Sequence, residues 1–325
     1  MNQVLVTEPI HEDGINLLQE HFKVISGIGR NWEELLPLAP EIDAIIVRVA
    51  RVPLEFIKRA KRLRVIAKHG TGLDNIDVGL ATQYGISVVN EPTTNVEAVA
   101  ELTVATFLAL ARPLRKADDV VRSMVWKKRN TLIGRELQGS TVSLVGMGRI
   151  GSRVADICLH GFGCRVLAYD PYVSREYLES LGIEKVDSVD DLLPECDFLS
   201  IHVPLTPETR GLIDASKLAL LKPTAYVVNI SRGGIVDEQA LADALASGTI
   251  AGAAVDAFTS EPPKPDNPLL SCPNILLMPH MGAQTEESMR RTALGISQGV
   301  VDALQGRRPK HLVNPEALEI VKGAS

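Results

Sequence analysis

The chain has 325 residues, of which 45% are hydrophobic and 23% charged, and its formal net charge is −6. These values suit a soluble globular protein with room for two α/β domains, and an acidic balance without a basic tail argues against a general nucleic-acid binder. No apolar run approaches the ~20 residues of a transmembrane helix. Residues 1–6 pass straight into a strand pattern with no visible signal peptide, so a cytoplasmic protein that binds no membrane is expected.

The first hundred residues alternate short apolar runs with amphipathic stretches. Strands are predicted at 3–6, 23–25, 44–47, 64–67 and 86–89, with a helix over 14–22. Such runs predict a parallel sheet covered on both faces. The basic residues Lys58, Arg59, Lys61, Arg62 and Arg64 surround a short helix end and read as a solvated face. A long apolar helix is predicted from Asn95, its N-cap, through Ala109 to Pro113, which should kink or end it. Its surplus of Ala, Leu and Val predicts burial on several sides, either between domains or in the interface of a homodimer.

A second alternating series begins at Thr141. Its strands are predicted at 141–145, 165–169, 198–203, 225–229, 251–255 and 275–278, followed by a helix over 285–304 that stops before Gly306. Residues 310–314 are expected to return to the first domain. The four cysteines (Cys158, Cys164, Cys196 and Cys272) form no CxxC pair, which fits a reducing compartment and gives no sign of a metal site.

The first strand of the second series runs into Gly146-Met147-Gly148-Arg149-Ile150-Gly151, and the next strand ends on Asp170, 19 residues beyond Gly151. This is the arrangement that holds a dinucleotide. Gly146 permits the tight turn, Gly148 leaves space for the pyrophosphate, and Gly151 lets the helix approach the sheet. The helix N-terminus offers free N–H groups and a positive dipole to the phosphates. A carboxylate at Asp170 can accept both ribose hydroxyls and would repel a 2′-phosphate, so NAD is expected rather than NADP.

Three ionisable residues follow apolar strands of the same series: Arg232, Glu261 and His280. They are expected to cluster at the carboxyl edge of the sheet. An arginine can hold a carboxylate and polarise a carbonyl, and a histidine can pass a proton near neutral pH when a carboxylate orients it.

With these motifs in order, the chain resembles the D-isomer-specific 2-hydroxyacid dehydrogenases over nearly its whole length. The segments that carry the resemblance are 68–77 (KHGTGLDNID), the Gly146–Gly151 turn, 202–206 (HVPLT), the Arg232 loop, Glu261-Pro262 and Pro279-His280. The resemblance implies two doubly wound parallel-sheet domains. A Rossmann NAD-binding domain (103–285) would be inserted into a flavodoxin-like substrate-binding domain (1–102 and 286–325), with a cleft between them. It implies hydride transfer between a nicotinamide and the carbon of a small 2-hydroxy or 2-oxo acid, with His280 as proton donor, Glu261 its partner and Arg232 on the substrate carboxylate. By the same resemblance, Arg48, Gly70, Thr71 and Gly72 would bind substrate. Thr71, Arg149, Ile150, Val203, Pro204, Thr209, Ile230, Ser231, Asp256 and Gly282 would join the glycine turn and Asp170 around the cofactor, with Asp256 on the carboxamide.

Formate dehydrogenases share this fold but carry glutamine where this chain has Glu261. Residues 70–77 are most similar to D-3-phosphoglycerate dehydrogenases. Arg48, Lys68, His69 and the run Trp126-Lys127-Lys128-Arg129 are candidate cations for a phosphate, against a reading as ordinary solvated charges. The carboxy-terminal regulatory domain of the longer phosphoglycerate dehydrogenases is expected to be absent. Hydroxypyruvate and glyoxylate are alternative substrates. An NADH-binding corepressor on the same fold is the alternative function.

Overall fold

The first sheet is built from β1 (Gln3–Val6), β2 (Lys23–Ser26), β3 (Ala44–Val47), β4 (Val65–Lys68) and β5 (Ser87–Val89). All are parallel, in the order β2-β1-β3-β4-β5, the flavodoxin-like arrangement. The structure is a computed structural model and describes residues 1–323. Successive side chains along a strand point to opposite faces. Val4 and Val6 therefore meet Leu18 of the Glu12–Gln19 helix and Ile296 and Val300 of the Glu286–Leu304 helix, while Leu5, Ile45 and Ile66 join Phe56 on the other face. Both faces are covered, which is why β3 reads as an unbroken apolar run.

The second sheet comprises β6 (Thr141–Val145), β7 (Arg165–Tyr169), β8 (Glu184–Lys185), β9 (Phe198–Ile201), β10 (Tyr226–Asn229), β11 (Gly252–Val255) and β12 (Ile275–Leu277). Its order, β12-β11-β10-β9-β6-β7-β8, is the Rossmann pattern with one further strand. Between β6 and β9 the direction of strand addition reverses, so the chain leaves the carboxyl ends of these neighbours on opposite sides of the sheet. This topological switch point is where such sheets open a crevice for a ligand. β8, a two-residue edge strand, is too short and polar to show in the sequence pattern.

Contacts divide the chain into two units, Met1–Asn95 with the chain from Ala283 onward, and Val96–Gly282. The expected boundary at 102/103 would cut the Val96–Ala111 helix. That helix lies wholly in the second unit, because Val99, Ala100, Val104, Phe107 and Ala111 share a core with Val142, Leu144 and Val154.

The same packing takes up most of the apolar surface from which an interface is expected. Most of the helix's apolar residues pack within its own unit, while Leu102, Leu108 and Leu110 are half-buried and Glu97, Glu101 and Ala105 are exposed. Exposed apolar side chains lie just beyond it instead, at Leu114, Val121, Met124, Trp126 and Ile133.

In the first unit the returning segment does pair: Leu312 bridges Val89 antiparallel, and Asn314 Oδ1 accepts the Val88 N–H at 2.7 Å. Among the described residues no helix is long and apolar enough to cross a membrane, and no acid, histidine or cysteine cluster could hold a metal.

Candidate active site

The glycine turn sits at the switch point. Gly146 has φ +96°, and a Cβ there would press on the Val203 side chain and the His202 carbonyl, at 2.8 and 2.9 Å. A Cβ on Gly151 would run into the Gly146 carbonyl oxygen. The two glycines thus set the turn and the close helix approach. Gly148 differs, since a Cβ there would meet nothing within 4 Å. It N-caps the Arg149–Asp156 helix without a side chain, leaving the first-turn N–H groups to an outside acceptor. A pyrophosphate fits that opening.

Asp170 follows β7 and is almost wholly buried. Its Oδ2 accepts the Met147 N–H and its Oδ1 the Tyr172 N–H, both at 2.8 Å. The carboxylate is therefore fixed beside the glycine turn, and each oxygen retains a lone pair for a ribose hydroxyl.

Arg232, Glu261 and His280 all lie in this second unit, past the carboxyl ends of β10, β11 and β12. His280 Nδ1 is 2.9 and 2.8 Å from the two Glu261 oxygens. Burial alone would raise the Glu261 carboxyl. The hydrogen bond and charge of His280, the Phe258 N–H and the charge of Arg232 outweigh it and hold the group below the usual glutamate range.

The Arg232 loop is shaped by Asn229. Its Nδ2 donates to the Arg232 carbonyl at 2.8 Å, and its Oδ1 accepts from the Ser231 N–H and hydroxyl. Sequence reasoning missed this residue, although an asparagine at a strand end before Ser-Arg-Gly-Gly is a turn signal.

His280 has φ +52°, a conformation unfavourable for a residue with a Cβ. Asp256 holds it there. The His280 N–H donates to the Asp256 carbonyl, and the Met281 and Gly282 N–H groups donate to the two carboxylate oxygens, all at 2.8 Å. Asp256 has no exposed surface. The expected contact with a carboxamide is therefore not open to it in this arrangement, and its visible work is to fix the histidine turn.

Val203 and Pro204 follow β9 at the switch point. Thr209 is turned inward, donating to the Pro204 carbonyl at 2.6 Å. Ile230 is buried against Gly282, and Arg149 and Ile150 form the first helical turn.

The first unit carries Arg48, Gly70, Thr71 and Gly72. The N–H groups of residues 70–72 have no acceptor among the described residues. Thr71 Oγ1 donates to the Glu91 carbonyl at 3.1 Å, and Asn90 Nδ2 donates to the Thr71 carbonyl at 2.8 Å, which fixes the loop from β5. Lys68 Nζ donates to the Arg48 carbonyl, and Arg48 donates to the Pro9 carbonyl. His69 does not serve as a cation. Burial and the charge of Arg48 push it down to about 4, so it is neutral near pH 7.

A glycine turn at the switch point of a Rossmann sheet, an acid closing the next strand, and an Arg–Glu–His cluster define a dinucleotide-binding dehydrogenase-type domain. Residues 104–282 match the family model for the NAD-binding domain of D-isomer-specific 2-hydroxyacid dehydrogenases. The chain belongs to that family.

It is 41% identical over 315 residues to a D-3-phosphoglycerate dehydrogenase of Methanocaldococcus jannaschii, covering 97% of this chain and 60% of that one. It is 41% identical over 328 residues to a glyoxylate reductase of Aeropyrum pernix, covering 98% and 97%. The crystal structure of the TT0316 protein of Thermus thermophilus matches with a TM-score of 0.89 at 35% identity, over 96% of this chain and 99% of that one. The chain thus spans about 60% of the length of the phosphoglycerate dehydrogenases it matches.

Proposed function

We propose that the chain interconverts a D-2-hydroxy acid and its 2-oxo acid with NAD. The Glu261–His280 pair, with the charge of Arg232 acting on the same carboxylate, carries this reading. Bound NADH supplies the hydride for the keto carbon. Glu261 occupies the Nδ1 side of His280, so Nε2 is the nitrogen that gives a proton to the oxygen as it becomes an alkoxide, and takes it back in oxidation. The Arg232 guanidinium grips the carboxylate and polarises the keto oxygen. In the first unit, the open N–H groups of residues 70–72 are themselves suited to a carboxylate.

The proposed substrate is 3-phosphoglycerate and its oxo form. Lys127, Lys128 and Arg129 support it, being exposed and paired with no carboxylate among the described residues. The phosphoglycerate dehydrogenases among the relatives favour it too. We also propose a homodimer, in which Leu114, Val121, Met124, Trp126 and Ile133 are buried by a second copy and the basic run is offered to that copy's substrate.

A 340 nm assay of NADH loss against 3-phosphohydroxypyruvate, hydroxypyruvate and glyoxylate tests the function. A charge-assisted hydrogen bond is worth about 1.5–3 kcal/mol, or roughly 10- to 150-fold. The phosphorylated acid should show a KM lower by that factor, and neutralising the three cations together should erase the gap. A preference for hydroxypyruvate or glyoxylate would replace the substrate reading. Tight NADH binding without turnover of any acid would overturn the enzyme. Light scattering that returns a 35.2 kDa particle would overturn the dimer.

A further inference from the structure

The loop that presents Glu261 is held from behind by a residue outside the catalytic cluster. The segment after β10 carries Arg232 first and then enters the Glu238–Ser247 helix, N-capped by Asp237, whose side chain accepts the Ala240 N–H. Glu238 is therefore the first helical residue, six positions beyond Arg232 on the same short stretch. Its Oε1 accepts the Thr259 N–H at 2.7 Å and its Oε2 accepts Asn267 Nδ2 at 2.7 Å.

Thr259 lies between Phe258, whose N–H bonds Glu261 Oε1, and Glu261 itself. A second point of closure sits beside it. Gly233 lies directly on the Phe258–Thr259 backbone, where any Cβ would collide with the Phe258 carbonyl carbon and oxygen. Two loops from adjacent strands, one bearing Arg232 and the other Glu261, are thus locked at Gly233 and at Glu238.

We infer that Glu238 is a positioning residue for the reaction, one that sets where Glu261 stands and hence how His280 is oriented relative to Arg232. Both of its carboxylate oxygens are engaged. An exposed helix-start glutamate would leave its carboxylate to water, whereas this one is half-buried and spans the loop, holding a main-chain N–H near one end and Asn267 near the other. Asn267 is itself anchored, because its Oδ1 accepts the Leu269 N–H at 3.0 Å and caps the next turn. Losing the Thr259 bond leaves a main-chain donor to find water and frees the segment from 258 to 267. A displacement of the order of 1 Å at a reacting group far from the substitution is enough to cost about 10²-fold in rate. The inference rests on the function proposed above.

Glu238→Met and Glu238→Gln are compared with the wild type as the full-length protein. Glu238→Met should lower kcat about 10- to 100-fold, with the NADH dissociation constant within about twofold and an altered pH profile of kcat/KM. Glu238→Gln keeps an oxygen for the Thr259 N–H and should restore most of the turnover. Wild-type turnover and pH profile in Glu238→Met overturn the inference, as does an equal loss in both variants.

Should Glu238→Met fail to fold, Asn267→Asp carries the test. It keeps the cap oxygen but sets a second acid against Glu238, and it should show the same change in pH profile. A wild-type profile there overturns the inference.

The imidazole 15N resonances of His280 give a readout that needs no turnover. They should move in Glu238→Met and stay in Glu238→Gln. If the wild type reduces no 2-oxo acid, the proposed function fails, yet unmoved His280 resonances in Glu238→Met would separately overturn the positioning role.

Discussion

His280 Nδ1 stands within 2.9 Å of both oxygens of Glu261, so that ring nitrogen is committed to the carboxylate and the proposed proton transfer runs through Nε2. General acid–base catalysis contributes about 10²–10⁴-fold, and His280→Asn should lower turnover by that range. NADH affinity, measured by fluorescence titration, should hardly change, because the glycine turn and Asp170 are untouched. Near-normal turnover in this variant would remove His280 from the mechanism.

Asp170 accepts two main-chain N–H groups and is fixed where a ribose would lie. A fixed carboxylate excludes a 2′-phosphate by charge and by desolvation. The wild type should use NADH in preference to NADPH, and Asp170→Ala should narrow the ratio of the two kcat/KM values. Equal use of both cofactors by the wild type would show that the carboxylate does not discriminate.

Gly233 has no room for a methyl group, because the Phe258 main chain occupies the place where a Cβ would go. Overpacking of this kind costs about 1–3 kcal/mol. Gly233→Ala should lower the thermal midpoint and, by pushing the Arg232 and Glu261 loops apart, reduce turnover beyond what the lost stability explains. A variant with an unchanged midpoint and rate would mean that the backbone there relaxes freely.

His69 gives a pH prediction for the first unit. Its value falls from 6.5 to about 4 on folding, first through burial and then through the charge of Arg48. Between those two values the unfolded chain binds the proton and the folded one does not. Stability from this residue is therefore flat above pH 6.5 and declines as the pH drops towards 4, by up to about 3 kcal/mol. His69 Nε2 is also buried without a hydrogen-bond partner among the described residues. His69→Leu should leave stability at pH 7 equal or higher and flatten the acid side. Urea midpoints from pH 4 to 7 that fall in parallel for both proteins would assign the acid sensitivity elsewhere.

The strands other than β8, the glycine turn, Asp170 and the positions of Arg232, Glu261 and His280 at strand ends are legible because each is written locally. Short continuous apolar runs mark strands buried on both faces, and Gly-x-Gly-x-x-Gly must follow one of them. The helix after Asn95 is apolar nearly all round, and sequence does not separate the part its own sheet and a neighbouring helix cover from a part left to an interface. His69 read as a cation in sequence, but its charge is decided by burial that only tertiary packing creates. Glu238 and Asp256 were illegible as positioning residues, because their partners lie 21 and 25 residues away and nothing in the intervening sequence marks the pairing.

The staple between Val88 and Asn314 spans 226 positions of sequence, and the whole of the second unit is threaded between its two halves. As the chain is synthesised, β1 to β5 emerge first but lack the Glu286–Leu304 helix that covers one face of their sheet. The second unit is one continuous run and can close on its own contacts as soon as it is made. Contacts between distant residues form late because the loop they close must be ordered first. These strands are thus made before the second unit and finished after it, and until the Glu286–Leu304 helix arrives one apolar face of their sheet stays uncovered.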